Sequence, residues 1–461
     1  MNQALRDELR KIVGETGYLA AAAIAERRAD MLGRPGELRS EALVRPASTA
    51  EVSAVLRACH AARQPVVVHG GLTGLVRGTD AGPGELILSL ERMDRIEEID
   101  PVSRTATAQA GVKLQALQEA AGEKGLMFPL DLGARGTATI GGNVATNAGG
   151  NRVVRYGMMR EMVLGLEAVL ADGTVVSALN RLIKNNAGYD VKQLFVGSEG
   201  TLGVVTRAVV RLRERPRGQQ VALAASERFQ GVVALLRQVD QALGGRLSAF
   251  EVMWREHYEL VTRPPATSVS PFAGAHPYCV LIESQGDADA APLAGALEAA
   301  QGAGLLADAV VARSQAERNA LWGIRDDVGQ LRRLAPIFAF DVSLPIAAME
   351  PYVAGVRSRL AAKWPGAHCS TFGHLADGNL HFVFAPGSAD EETRRAVEEI
   401  VYLPLEAIGG SVSAEHGIGL EKKRWLRLCR TPEEIALMRA LKSALDPLGI
   451  LNPGKVIDPA A

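Results

Sequence analysis

FPLDLGARGTATIGGNVATNAGGNRVVRYG, residues 128–157, contains almost nothing that can build a hydrophobic core. Glycines recur through it, together with small hydroxyl residues (Thr137, Thr139, Thr146) and amides such as Asn143 and Asn147. A loop of that length inside a compact protein is uncommon unless it is functional, so the stretch is expected to wrap a large polar ligand. Upstream, PVVVHGGLTGLVRG (65–78) reads as a buried strand running into a glycine-rich turn. Gly70, Gly71, Gly74 and Gly78 allow successive amides to face outward as an anion nest. The spacing fits neither the Rossmann nor the Walker pattern. On this stretch alone, a plain turn between strands remains open. GSEGTLGVVT (197–206) is a third glycine-rich loop, leading into a valine-rich strand. Just before the first loop, Ser48-x-x-Glu51 is a capping box, and Val52, Val55, Leu56 and Cys59 follow at helical spacing.

A chain of 461 residues exceeds one ordinary core, which implies two or three domains. Apolar content of 47% and charged content of 22% are globular values. Fifty-one basic against 52 acidic residues leave no positive excess for a phosphate backbone, so no nucleic-acid partner is expected. YLAAAAIA (18–25) is too short to span a bilayer and reads as a helix. The acids Asp7, Glu8 and Glu15 around it make a poor secretory signal. Cys59, Cys279, Cys369 and Cys429 lie far apart with no C-x-x-C pair, against a disulfide framework or iron–sulfur cluster. A reducing, cytoplasmic location is expected. Cys369 precedes His374 by five residues and reads as a buried thiol rather than a ligand. The charged break RLRERPRG (211–218) marks a boundary. The expected domains are 1–213, an α+β second unit over 214–423 with a helix at 229–243 and strands at 278–284 and 338–345, and a returning segment, 424–461.

The chemistry lies late in the chain, in FGHLADGNLH (372–381) and SAEHGIG (413–419). Two imidazoles and a carboxylate, His374, His381 and Glu415, are a common way to hold a catalytic divalent ion with an open position. Gly373, Gly378 and Asn379 argue against a helix there; a strand, a turn and a second strand would let both imidazoles converge. A histidine beside glycine also serves as a turn hydrogen-bonder, and Asp377 reads as a turn former. His416 is the candidate general base, with a third metal ligand as the other reading.

Residues 65–78, 128–151, 197–206 and the C-terminal LKSALDPLGILNPGK (441–455) resemble the flavin-binding fold of the vanillyl-alcohol oxidase/p-cresol methylhydroxylase superfamily. GHLADGNLH and AEHGIG are similar to the D-2-hydroxyacid dehydrogenases within it, notably the D-2-hydroxyglutarate and D-lactate branch. The resemblance runs from about residue 40 to 458. It implies an α+β fold: a two-subdomain FAD domain with an α+β cap carrying substrate and metal. His69, Gly70, Gly71, Leu72, Thr73, Gly74 and Leu75 would cradle the FAD pyrophosphate. Pro129, Asp131, Leu132 and Gly133 would line the rest of the flavin path with Thr139, Gly142, Asn143, Thr146 and Asn147. Glu199, Gly200, Gly203 and Val204 would continue it, with Asn452 near the flavin from the C-terminal side. Some relatives tether the flavin through a histidine where this chain has Leu72, so non-covalent FAD is expected.

The resemblance further implies His374, His381 and Glu415 as ligands of Zn²⁺ by default, with Mn²⁺, Fe²⁺ or Co²⁺ as other occupants. His416 would take the hydroxyl proton, FAD the hydride. Arg325, in ALWGIRDDVG, would hold the substrate carboxylate; an ion pair with Asp326 or Asp327 is the bland reading. Three positions leave the D-2-hydroxyglutarate pattern: Gly329, Ala339 and Val383 stand where such enzymes carry Thr, Lys and Asn. The expected substrate is therefore a D-2-hydroxy acid with a smaller or more apolar side chain, such as D-lactate. Lys192, Arg332 or Arg333 could restore a charge. Other readings are D-2-hydroxyglutarate dehydrogenase, an oxidase using O₂, and an FAD-binding subunit of a glycolate-oxidase-like complex. The electron acceptor would be an electron-transferring flavoprotein, a quinone or a cytochrome, and a homodimer is the prior expectation.

Overall fold

The computed structural model describes residues 1–25, 27, 38–286 and 291–458. They cluster into two units: Met1–Gly150, Gly157–Arg215 and Glu415–Ala461 in the first, Asn151–Tyr156 and Pro216–Ala414 in the second. The chain thus crosses close to the charged break. It returns at Glu415 rather than residue 424, and the end of the long glycine-rich stretch clusters with the second unit.

The first unit holds two main sheets. One has the order Tyr18–Ala20, Ala42–Val44, Leu86–Ser89, Val66–His69, with the last three strands parallel. The helices Gln3–Val13 and Thr49–Ala61 bury Leu5, Leu9, Val52, Val55 and Leu56 against it, at the i, i+3, i+4 spacing that keeps one face inward. Ser48 caps the second helix by accepting from the Glu51 amide at 3.2 Å. The Glu51 carboxylate reaches the Ala47 amide, one residue before the position a full capping box requires. Within 18–25, read above as helical, Tyr18–Ala20 is instead a strand pairing with Ala42–Val44, and the helix begins only at Ala21. Strand pairing overrides the alanine propensity there. The second sheet is antiparallel, in the order Ile96–Asp100, Thr105–Gln109, Val204–Arg211, Val163–Val169, Val175–Ala178.

The C-terminal segment covers the edge of the first sheet. Val66 donates to the Ile450 carbonyl, and Asn452 donates back to the Val66 carbonyl. Lys442, on the helix Pro432–Leu445, locks this return: buried, it pairs with Asp446 and donates to the carbonyls of Thr201 and Leu451, both at 2.8 Å.

The second unit is a seven-stranded antiparallel sheet. Its order is Asp308–Val311, Gly218–Ser226, Tyr278–Gly286, Leu247–Trp254, His368–His374, Asn379–Ala385, Phe338–Ser343. One face packs phenylalanines against helices: Phe382 on Tyr352 and Phe340 on Tyr402, from Met349–Lys363 and Glu391–Ala407. The other face meets Arg255–Thr262 and Gln315–Asp326 and carries the polar groups described below.

Replacing Lys442 with Ala strands the buried Asp446 carboxylate and two carbonyls. The expected loss is about 3 kcal/mol, read as a lowered midpoint in chemical denaturation of the holoprotein.

Candidate active site

In the first unit, the glycine-rich loops are packed on one another. A Cβ at Gly71 would run into the Thr137 carbonyl, and one at Gly70 would lie 2.8 Å from Thr139 Oγ1. Thr139 caps the short helix Ile140–Ala145. Backbone strain concentrates here. Of the eight described non-glycine residues with positive φ, six (Leu72, Arg77, Asn147, Glu199, Asn452, Val456) fall in the loops read as flavin-binding or in the C-terminal return. Such conformations persist where the surroundings enforce them, typically at ligand sites. Asn452 bridges the loops, accepting from the Val68 amide at 2.8 Å and donating to the Glu199 carbonyl at 2.6 Å. Asn143 Nδ2 is buried without a hydrogen-bond partner. A close-packed, strained cradle with an orphaned amide fits a large polar cofactor such as FAD.

Two residues expected to touch the cofactor are occupied otherwise. The His69 ring is buried and donates from Nε2 to the Thr79 carbonyl at 2.8 Å; burial lowers its pKa to about 4. It is neutral and offers no charge to a phosphate. Glu199 uses both carboxylate oxygens on the amides of Ile418 and Gly419, at 2.7 and 2.9 Å. Burial pushes its pKa up, and the amides and Lys422 only partly counter this. It therefore clamps the loop that follows Glu415 and His416. Gly417, at φ +86°, would place a Cβ 2.7 Å from Glu199, so glycine is required there. Around them, Leu72, Thr73, Leu75, Leu132, Gly142 and Thr146 are half-buried, Pro129, Gly200, Gly203 and Val204 buried, Gly74 and Gly133 exposed. Asp131 is buried and ion-paired with Arg135 at 3.2 Å.

In the second unit, the turn Leu375–Asp377 joins the strands carrying His374 and His381, the strand–turn–strand expected from the glycines. Register puts Glu251 opposite His374, Phe372 and Asp341 opposite His381, and Ala339 opposite Val383. Because side chains alternate, all seven share one face. The His374 and His381 rings meet edge to face, with centroids 5.5 Å apart. Glu251 is buried, 1% exposed, and each of its oxygens has a task. Oε1 accepts from His374 Nδ1 at 2.8 Å and Oε2 from Arg325 Nε at 2.7 Å. Burial pushes the Glu251 pKa up, but the charges and hydrogen bonds of His374 and Arg325 outweigh it and leave it lowered. The carboxylate is ionised, so Nδ1 of His374 carries the proton and Nε2 keeps its lone pair.

The second unit ends at Ala414, whose amide donates to Asp341 Oδ2 at 3.1 Å; Ser413 Oγ donates to the same oxygen at 3.2 Å. His374 and His381 thus bring two imidazoles together within the second unit, and Glu251 fixes the tautomer that keeps a lone pair on His374 Nε2.

Arg325 is buried and paired with Glu251, not with Asp326 or Asp327. Its Nη2 lies 3.4 Å from His374 Nε2 and its guanidinium over the Phe372 ring. Ala339 and Val383 belong to an apolar cluster with Phe372, Leu331, Leu334 and Ile337. Gly329 is exposed in the turn Val328–Leu334. Lys192 is engaged by Asp190 and Arg333 by Gln330.

Glu251 and Asp341 were missed as site residues, and Glu283 as a buried structural acid. The signal was available: an acid inside apolar strand runs such as LSAFEVMW and YCVLIES needs a buried partner. Glu283 receives Arg152 at 2.8 and 3.0 Å, Ser248 Oγ at 2.7 Å and Trp322 Nε1 at 3.0 Å. Trp322 and Arg325, one helical turn apart, thus dock their helix on two buried carboxylates.

Residues 215–456 match the family described as FAD linked oxidases, C-terminal domain, and residues 40–179 the FAD binding domain family. D-2-hydroxyglutarate dehydrogenase of Xanthomonas citri pv. viticola is 42% identical, over 90% of this chain and 89% of that protein. The mitochondrial D-2-hydroxyglutarate dehydrogenase of Bos taurus is 42% identical over 91% of this chain and 77% of its own length. A Schizosaccharomyces pombe protein provisionally named D-lactate dehydrogenase, mitochondrial, is 36% identical over 91% and 82%. Among solved structures, substrate-bound p-cresol methylhydroxylase superposes with a TM-score of 0.77 at 17% identity, over 99% of this chain and 98% of that one. The 4-ethylphenol oxidase of Gulosibacter chungangensis gives 0.74 at 19%, over 99% and 97%. At these identities the structural likeness speaks for the fold alone, and that fold is the vanillyl-alcohol oxidase/p-cresol methylhydroxylase flavoprotein type. Within it, the chain belongs to the FAD-dependent D-2-hydroxyacid dehydrogenases, oxidoreductases acting on CH–OH.

Glu283 offers a pH test. Burial raises its pKa, but Arg152 and the hydrogen bonds from Arg152, Ser248 and Gln219 outweigh burial and leave it lowered. A depressed carboxylate stabilises the fold above its unfolded pKa of about 4.3 and loses that contribution as pH falls through the folded value. Glu283→Gln should cost about 3 kcal/mol at neutral pH. Thermal unfolding across pH should show the gap to wild type closing below about pH 4.

Proposed function

We propose that this protein oxidises a D-2-hydroxy acid with a small or apolar side chain, such as D-lactate, to the 2-oxo acid. The observation that carries the reading is the edge-to-face pair of His374 and His381, with Glu251 holding the His374 proton on Nδ1. His374, His381 and Glu415 would hold a divalent ion, Zn²⁺ by default, which supplies Lewis-acid polarisation of the substrate hydroxyl. FAD, bound without a covalent tether, supplies the hydride acceptor. His416 is assigned as the general base that takes the hydroxyl proton. Arg325 is assigned to the substrate carboxylate. Glu251 takes its Nε, and Nη1 makes no hydrogen bond among the described residues.

The side-chain preference is supported by Ala339 and Val383, which face each other in an apolar cluster. The names of the relatives at about 40% identity favour the second reading, D-2-hydroxyglutarate. The four free cysteines support a reducing compartment such as the cytoplasm. No helix among the described residues is long and apolar enough to cross a membrane. Electrons would pass to a flavoprotein, quinone or cytochrome acceptor; turnover with a dye compared with O₂ alone separates this from an oxidase.

Three measurements test the reading. Removing metal with a chelator should abolish turnover, and Zn²⁺ should restore it. His416→Ala should lower kcat by roughly 10²–10⁴-fold with flavin and metal content unchanged. Activity surviving either treatment sinks the mechanism. Across a panel of acids, kcat/KM should be higher for D-lactate or apolar D-2-hydroxy acids than for D-2-hydroxyglutarate. A strong preference for D-2-hydroxyglutarate sinks the substrate assignment.

A further inference from the structure

The geometry assigns to Glu251 a positioning role at two functional groups at once: it sets the metal-binding tautomer of His374 and the orientation of Arg325. The inference rests on the metal reading above. Three observations support it. Glu251 and His374 are register partners on adjacent strands, so neither can shift without breaking the pairing. Both oxygens are committed, one at 2.8 Å to an imidazole nitrogen and one at 2.7 Å to a guanidinium nitrogen. The carboxylate, His374 and Arg325 are all nearly excluded from solvent, at 1%, 5% and 5% exposure, so water does not compete for these bonds.

The chemistry of the carboxylate makes the two roles inseparable. An ionised carboxylate only accepts, so His374 must present N–H at Nδ1 and a lone pair at Nε2. The same charge balances Arg325, whose Nε donates along the opposite edge, fixing the plane in which its remaining donors lie. Replacing Glu251 with Gln breaks this logic. Its oxygen can still accept from Arg325, but its NH₂ then faces Nδ1 and requires a lone pair there. The proton moves to Nε2, which removes the ligating lone pair.

The test uses the flavin-loaded protein and measures Zn²⁺ affinity by competition with a chromophoric chelator, independently of turnover. Glu251→Gln should bind Zn²⁺ some 10–100-fold more weakly. With Zn²⁺ saturating, KM should rise more than kcat falls, because Arg325 loses its anchor. Glu283→Gln, which removes another buried carboxylate of the same face, serves as the stability control and should leave Zn²⁺ affinity within threefold of wild type. If Glu251→Gln does not fold, Glu251→Asp replaces it: the shorter side chain keeps the charge but cannot span both partners, and a weakened Zn²⁺ affinity is again expected. Zn²⁺ affinity within threefold of wild type in whichever Glu251 variant folds overturns the inference, as does equal weakening in Glu283→Gln. Wild-type protein that binds no Zn²⁺ overturns the metal reading itself, and is a different result from a wild type that binds and a variant that binds equally well.

Discussion

Glu251 and His374 face each other across antiparallel strands, and that register decides which groups share a face of the seven-stranded sheet. A slip of one residue between the strands carrying His374 and His381 would turn Phe382 toward the site and send His381 into the packing against Tyr352. The register is held by the phenylalanines of the opposite face, which are buried among helices. The polar constellation is thus stabilised from behind, by burial it does not contribute to. This arrangement suits a site whose own groups cost free energy to desolvate. Glu251 and Glu283 are buried carboxylates whose two oxygens are each hydrogen-bonded, to His374 and Arg325 in the first case and chiefly to Arg152 in the second, the condition under which such groups are tolerated.

The first unit solves a different problem. Its loops combine a few buried apolar anchors, Phe128, Leu130, Ile140 and Val144, with hydrogen bonds from polar side chains to distant backbone. Glu199 holds the amides of Ile418 and Gly419, Asn452 holds Val68 and Glu199, and Lys442 holds the carbonyls of Thr201 and Leu451. Each of these bonds joins segments more than two hundred residues apart, save that to Leu451. The C-terminal return is therefore part of the cradle and closes its edge.

Local features were legible in the chain and long-range ones were not. The helix Phe229–Leu243 and the strands at 278 and 338 follow from periodicity that each segment carries by itself. The hairpin of His374 and His381 follows from the glycines between them. The loops of 65–78 and 128–157 follow from composition and from the family resemblance. Glu251 was legible as a buried acid in need of a partner, but its role at His374 was not, because that depends on a strand 123 positions away in sequence. His69 and Glu199 lie in the loops expected to bind flavin, yet their side chains are used internally; a glycine-rich pattern specifies where the backbone goes, and hydrogen bonds with other segments decide where side chains point. The grouping of Asn151–Tyr156 with the second unit has the same cause, since Arg152 and Arg155 are held by Glu283 and by the carbonyl of Arg246.

In the proposed reading, the far end of the substrate meets few positions, Ala339 and Val383 among them. Ala339 and Val383 occupy one register pair and pack with Leu334 and Ile337. A second carboxylate placed against that wall would lose hydration and find no donor on it. An unpaired buried carboxylate costs several kcal/mol, more than a hydrocarbon side chain of the same size would gain by leaving water there. Lys192 and Arg333 are already engaged by Asp190 and Gln330, so drawing either to a substrate would first break those contacts. This asymmetry is the physical basis of the proposed preference for a substrate whose only anionic group is the carboxylate beside the carbon being oxidised.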